Sequence, residues 1–212
     1  RQVETRGKAG AFNKFRERAF SLMTSPEAKK AFDLQSESEQ ARQAYGNHTL
    51  GQSCLLARRL VESGSRYVMI NHNNWDTHAN NFGDLKTNLL PHLDKALSEL
   101  LRDLSDRGML EKTLVVVSGE FGRTPKINKD AGRDHWGPCF TLTMAGGGIQ
   151  GGRVVGASDE WAAKPADNPI GPKDFAATMF HLQGVDTEKL VYTLEKRPMK
   201  ILDGGRVIEE LL

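Results

Sequence analysis

Two short apolar segments of this chain are each followed by side chains that can bind metal ions. The segments are Tyr67–Ile70 and Thr113–Val117, and the candidate ligands that follow them are Asp76, His78, Glu120, Asp134 and His135. Histidine combined with carboxylates suits Zn, Mn or Fe, whereas sites without histidine favour Mg or Ca. The pattern therefore predicts a divalent metal site, with Zn, Mn, Ca and Mg as candidate ions.

Arginines and aromatic residues beside these ligands indicate what the site would act on. Arg123 and Arg133 could hold the oxygens of a phosphate or sulfate ester through paired hydrogen bonds, and we predict a catalytic role for both. Metal ions and arginines speed attack on such an ester because they neutralise the charge on its oxygens. The predicted substrate-binding residues are His72, Asn74, Trp75 and Trp136. Since an indole can stack on a sugar or simply form a pocket wall, the predicted substrate is a small-molecule or glycan ester.

A β-α-β unit would bring the two groups of ligands together. We predict strands at 66–71 and 113–118, joined by an amphipathic helix whose leucines recur from Leu85 to Leu104. The wholly apolar run in the second strand is typical of a strand that is buried on both faces. A right-handed crossover would make the two strands parallel and place their polar ends side by side, at the edge of the sheet where ligands bind.

The remaining pattern predicts a helical opening and further α/β elements. Residues 11–62 have helical patterns, with Phe12, Phe15, Ala19 and Leu22 at helical spacing and Ser25 as a cap. The later elements are predicted as a strand at 140–145, a glycine-rich turn with a return strand at 153–156, a surface loop at 157–171, a helix at 174–182, and an edge strand or turn with a short helical tail at 198–212. We therefore expect a helical segment, 1–64, packed on an α/β domain, 65–212.

The composition excludes several classes of protein. The 212 residues contain 29 Lys and Arg against 27 Asp and Glu, without a long basic run, so nucleic acid is not an expected partner. Uninterrupted apolar runs are too short for a transmembrane segment, and the chain does not open with a signal-type segment. Cys54 and Cys139 have no metal-type spacing and leave the redox compartment undetermined.

An ordered series of motifs carries a resemblance to a known family. The motifs are Gly51–Gly64, Trp75–His78, Val115–Pro125, Gly132–Trp136, Phe140–Ile149 and Asp174–Val185. From about Ser25 onward the chain resembles the bacterial family DUF1501 and, more broadly, the C-terminal half of the alkaline phosphatase/sulfatase superfamily. This resemblance implies an α/β fold of the alkaline-phosphatase type, with a mostly parallel central sheet flanked by helices and a helical N-terminal portion. It also implies a metal-dependent hydrolase, a missing N-terminal half of the same domain as partner, and a location in the periplasm or cell envelope.

The sequence departs from the superfamily pattern at three points. Phe121 follows Glu120 where the superfamily has a metal-binding histidine, and phenylalanine cannot coordinate. Asp76 and His78 are two residues apart, whereas many superfamily members space such a pair by four. The superfamily's nucleophile lies near the start of the full domain, so no residue of this chain can be assigned that role.

Structural explanations compete with the metal site. Asp76 and His78 could cap a loop, and Glu120 and Asp134 could form solvated ion pairs with neighbouring arginines. Two functional classes therefore remain: a metal-dependent hydrolase of phosphate or sulfate esters, and a non-catalytic cell-envelope protein that binds a glycan or an anion. Phe121 and the altered spacing favour binding, whereas the retained acids and His135 favour hydrolysis.

Overall fold

The computed structural model describes residues 13, 15–17, 20, 21 and 24–212. The helical spacing predicted for Phe12, Ala19 and Leu22 therefore falls outside the described residues. The chain forms two compact units. The first unit contains the described residues up to Trp75 and Leu85–Arg102, and the second contains Asp76–Asp84 and Asp103–Leu212.

In the described part of the first unit, three helices precede Trp75: α1 (Pro26–Phe32), α2 (Glu39–Tyr45) and α3 (Thr49–Glu62). Ser25, Ser38 and His48 cap their N-termini by accepting hydrogen bonds from backbone N–H groups three residues on. Helices α1 and α2 both pack against α3. The buried apolar side chains of this unit include Tyr45, Leu50, Leu55 and Ala96.

A buried ion-pair cluster joins α3 to the turn before α2. Arg58 and Arg59 are almost fully buried, and both donate to Oε1 of Glu37, the Arg58 Nη2 at 2.9 Å. Arg59 also donates through Nε to the carbonyl of Ala31 at 2.9 Å. Burial by itself would raise the pKa of Glu37, but the hydrogen bonds and charges of the two guanidinium groups outweigh it and lower that pKa.

The cap of α3 depends on the protonation state of His48. Its Nδ1 accepts the backbone N–H of Gly51 at 3.1 Å, which only an unprotonated nitrogen can do, and its ring stacks on that of His92 with centroids 4.1 Å apart. Burial lowers the pKa of His48 below the ordinary 6.5, and the nearby His92, Lys95 and His72 lower it further. The folded first unit therefore favours the neutral imidazole.

Acidification should weaken the first unit through His48. Because the folded state resists a proton that the unfolded chain accepts near pH 6.5, stability is lost as the pH falls below that value. In His48→Asn the amide oxygen can still cap the helix but does not titrate. We expect urea unfolding at pH 7.5 and pH 5.5 to show a smaller loss of stability in the variant than in the wild type. Equal losses would contradict this role of His48.

Helix α4 (Asn81–Asp84) is a short helix of the second unit, and a long helix follows it along the chain. Residues Leu85–Leu89 are π-helical, and helix α5 runs from Leu90 to Asp106. The predicted amphipathic helix is thus confirmed, and Pro91 lies just after the π-helical residues. Gly108, with φ of 63°, ends it: the N–H of Met109 bonds to the carbonyl of Leu104, and that of Gly108 to the carbonyl of Ser105.

The strands of the second unit form four separate antiparallel pairs. They are β1 (Val115–Val117) with β4 (Thr143–Ala145), β2 (Gly122–Arg123) with β3 (His135–Trp136), β5 (Ala157–Ser158) with β6 (Pro165–Asp167), and β7 (Leu190–Tyr192) with β8 (Pro198–Lys200). Helix α6 (Pro172–Leu182) confirms the helix that was predicted from residue 174. In the described part of the chain, no helix is both long and apolar enough to cross a membrane.

The expectation of an alkaline-phosphatase-like α/β fold is wrong. The described residues contain six α-helices and only short two-stranded antiparallel sheets, without a large parallel central sheet. Val115–Val117 does form a strand, but it is half-buried and pairs antiparallel with Thr143–Ala145. An apolar run indicates that a strand has apolar surroundings, but it does not determine the direction of the neighbouring strand.

Two further predicted strands are also wrong. Residues 66–71 and 153–156 are not in strands, and Tyr67 and Met69 expose about three-quarters of their surface. The segment 157–171, predicted as a surface loop, contains the β5–β6 pair. The described structure therefore contains no parallel β-α-β unit at these residues. A different contact must bring the candidate ligands together.

Candidate metal centre

The β2–β3 pair carries half of the candidate site. Arg123 on β2 lies opposite His135 on β3, and Gly122 lies opposite Trp136. The chain is crowded at Gly122, because a Cβ atom there would lie 2.2 Å from the carbonyl oxygen of Cys139. Arg133 holds the two strands together: its Nε donates to the carbonyl of Thr124 at 2.6 Å, and its Nη2 donates to that of Arg123 at 2.9 Å.

The segment after Trp75 binds alongside the loop that joins these strands. Backbone N–H groups of Arg133 and Asn81 donate to the carbonyls of Thr77 and Ala131, at 3.1 Å and 2.9 Å. Gly132 permits this approach, because a Cβ atom there would lie only 1.9 Å from the carbonyl oxygen of His78. A contact between two loops thus brings the two groups of candidate ligands together, which the predicted parallel strands were expected to do.

Three ligand atoms converge where the two segments meet. Asp76 Oδ1 lies 2.7 Å from His135 Nε2 and 3.1 Å from His78 Nε2, and the two Nε2 atoms are 3.1 Å apart. The triangle is small enough for one ion to lie about 2.1 Å from all three atoms, the usual Zn–N and Zn–O distance. All three side chains are about half exposed or more, so the centre is open to solvent.

Asp134 orients one of these ligands. His78 Nδ1 lies 2.6 Å from Asp134 Oδ1, and because a carboxylate only accepts, the hydrogen of this bond belongs on Nδ1. Nε2 is the ring nitrogen that faces Asp76 and His135. This hydrogen bond lowers the pKa of Asp134 below its ordinary value. Metal-binding histidines commonly donate their second nitrogen to a carboxylate in this way. The bond to Asp134 therefore leaves Nε2 as the nitrogen of His78 that is available to a metal ion.

Arg123 holds Asp76. Its Nη2 donates to Asp76 Oδ1 at 2.5 Å, and its Nη1 donates to the carbonyl of Arg133 at 3.2 Å. The hydrogen bonds from Arg123 and His135 lower the pKa of Asp76 to about 2, so the carboxylate is ionised at neutral pH. The guanidinium also places a positive charge beside the three ligand atoms.

Other predicted site residues have different surroundings. Glu120 is exposed and is not part of the cluster that the described residues form. The ring of Phe121 lies 4.3 Å from that of His135. Trp136 donates through its indole N–H to the carbonyl of Ala163 at 2.7 Å, which connects β3 to the turn between β5 and β6.

The remaining predicted substrate-binding residues lie in the first unit. The indole N–H of Trp75 donates to His72 Nδ1 at 2.9 Å, and burial lowers the pKa of His72. Asn74 has a φ of 74°, a left-handed conformation in which asparagine is tolerated. These contacts shape the chain just before Asp76.

Sequence reasoning missed Asn128. Its side chain contacts both His78 and Asp134 from the loop between β2 and β3. The spacing of Asn128, Asp130 and Gly132 is typical of a turn in which an asparagine side chain caps its own backbone, and this signal could have identified it.

The geometry defines a candidate metal centre with two histidines and one carboxylate. The chain belongs to the DUF1501 family, described as a protein family of unknown function, whose model matches residues 2–212. Comparison with curated proteins found no match. Comparison with solved structures found none either.

Proposed function

We propose that this DUF1501 chain is a metal-dependent hydrolase of phosphate or sulfate esters. The observation that carries the proposal is the convergence of Asp76, His78 and His135, with Asp134 fixing the His78 tautomer. Zinc hydrolases commonly use three protein ligands of this kind and leave a fourth position for water. The open centre leaves room for such a position.

The ligand set favours particular ions. Two imidazole nitrogens and one carboxylate suit Zn or Mn better than Ca or Mg, which prefer oxygen ligands. When bound, such an ion supplies the Lewis acidity that activates water and neutralises charge on an ester. Arg123 contributes a second positive charge beside the centre and can attract the anionic group of the substrate.

Binding without catalysis is the second candidate function. It is favoured by Phe121, whose ring packs against His135 and therefore lines the centre with an aromatic side chain that can neither coordinate nor transfer protons. The Phe121 ring can stack on a glycan, and the guanidinium of Arg123, 6.0 Å from the centre of that ring, can attract an anionic ligand. In this case the centre would bind a metal and a ligand but not hydrolyse an ester.

Metal reconstitution and an ester assay separate the two functions. We expect chelator-treated protein to bind about one equivalent of Zn or Mn, and the loaded protein to hydrolyse p-nitrophenyl phosphate or p-nitrophenyl sulfate. Mg and Ca should bind much more weakly. Asp76→Asn should reduce turnover more than about 100-fold, because it removes the negative charge of a ligand, whereas Asp130→Asn, at an exposed carboxylate of the neighbouring β2–β3 loop, should not.

Two results would contradict hydrolysis in different ways. Stoichiometric metal with no turnover of either ester would favour the binding function. Failure of the wild type to bind Zn or Mn would remove the metal centre and both functions that depend on it.

A further inference from the structure

The side chain of Asn128 is hydrogen-bonded through both of its ends. Its Nδ2 donates to the backbone carbonyl of His78 at 2.9 Å and to Asp134 Oδ1 at 3.2 Å. Its Oδ1 accepts the backbone N–H groups of Asp130 at 3.0 Å and Gly132 at 2.9 Å. One amide group thus holds its own loop with its oxygen and the candidate centre with its nitrogen.

The orientation of this amide is determined by its partners. A reversed amide would place Oδ1 against two acceptors, the His78 carbonyl and the Asp134 carboxylate, and Nδ2 against two backbone donors. All four hydrogen bonds would then be lost, so the observed orientation is the stable one. The nitrogen of Asn128 must therefore face the centre.

The two groups that Asn128 holds belong to one histidine ligand. The carbonyl fixes the backbone of His78, and Asp134 Oδ1 is the atom that accepts the Nδ1 hydrogen of the same residue. His78 and Asp134 are 56 residues apart in sequence, so their alignment depends on tertiary contacts. Asn128 is the described side chain that donates to both.

We propose that Asn128 is a positioning residue of the metal centre: it aligns Asp134 with His78 and so holds the His78 Nε2 lone pair towards the ion. The inference rests on the proposed metal centre. It adds a residue that acts through His78 and does not itself touch the ion.

The first test is Asn128→Ala, measured by Zn affinity against a chromophoric chelator. We expect a loss of about 10- to 100-fold, the usual effect of removing a hydrogen-bond partner behind a metal ligand. The matched control is Asn168→Ala, because Asn168 also donates to a carboxylate and accepts from a cation in this unit, through Glu210 and Arg206. Its Zn affinity should stay within about 2-fold of wild type. Thermal unfolding of both variants shows whether each is folded.

A second variant keeps the loop and removes only the contacts to the centre. In Asn128→Asp a carboxylate oxygen can still accept from Asp130 and Gly132, but the other oxygen faces Asp134 and repels it. Because added negative charge attracts cations, Zn affinity is ambiguous here, and the His78 tautomer is the decisive readout. Imidazole ¹⁵N shifts at pH 8 without metal should show hydrogen on Nδ1 in the wild type and its loss from Nδ1 in the variant.

The outcomes separate this inference from the proposed function. If the wild type binds Zn and folded Asn128 variants retain its affinity and the Nδ1–H tautomer, the positioning role is overturned while the metal centre stands. If the wild type binds no Zn, the metal centre fails and the inference fails with it. If Asn128→Ala does not fold, the tautomer in Asn128→Asp decides the matter.

Discussion

Replacing His135 with alanine should lower the affinity for Zn by more than about 100-fold. The expected loss is larger than the 10- to 100-fold typical of a partner behind a ligand, because a ligand itself is removed. Of the two histidine nitrogens in the cluster, His135 Nε2 lies closer to Asp76 Oδ1, and its removal leaves only two of the three converging atoms. Elemental analysis of protein purified after Zn loading should therefore show a sharp fall in bound metal.

The control for this variant is His181→Ala. His181 is an exposed histidine on helix α6 of the same unit, so its loss removes an imidazole without touching the cluster. Zn stoichiometry and affinity should match the wild type. Unchanged Zn affinity in folded His135→Ala would show that His135 is not a ligand, and the proposed centre would have to be abandoned.

Replacing Glu37 with glutamine should destabilise the first unit by about 3 kcal/mol. Breaking a buried ion pair from one side leaves uncompensated charge, and here two buried guanidinium groups, those of Arg58 and Arg59, would lose their shared carboxylate. The apparent Tm should fall by roughly 10 °C. Glu39→Gln is the matched control, because Glu39 pairs with Arg42 at the surface and should contribute less than about 1 kcal/mol.

The pH dependence of the Glu37 variant is a further check on the same mechanism. The folded state lowers the pKa of Glu37 below its ordinary 4.5, so the stabilisation is fully present above that value and is lost as the pH falls through the folded pKa. Wild type and Glu37→Gln should therefore differ most near neutral pH and converge in acid. A stability difference below about 1 kcal/mol at pH 7 would mean that the buried cluster is not a net source of stability.

Local features of the fold were predictable from local sequence. The Ser25 cap, the leucine spacing of α5 and the glycine that ends α5 act over a few residues, so their physical causes are visible in the sequence itself. The same holds for Val115–Val117 as a strand and for the helix that α6 forms. Such elements depend little on what lies far along the chain.

Strand pairing was not predictable in this way. The apolar run at 66–71 has the composition of a strand, but it lacks a described strand partner and remains irregular, while Val115–Val117 pairs with a segment on its C-terminal side. A strand exists only if a partner satisfies its backbone N–H and C=O groups, and that choice is made by the whole fold. The resemblance to the alkaline phosphatase superfamily led to the same error, because it implied a mostly parallel central sheet that the described residues do not form.

The sequence by itself determined which side chains could bind a metal, since coordination depends on residue type: Asp76, His78, Glu120, Asp134 and His135 were all candidates. Only the tertiary structure decided which of them meet. A loop-to-loop contact, made possible by the missing side chain of Gly132, places Asp76 and His78 beside His135 and leaves Glu120 outside the cluster. The tertiary structure also places Asp134 against Nδ1 of His78 and Asn128 against the His78 carbonyl. Hydrogen bonds between residues about 50 positions apart follow from packing and not from spacing along the chain.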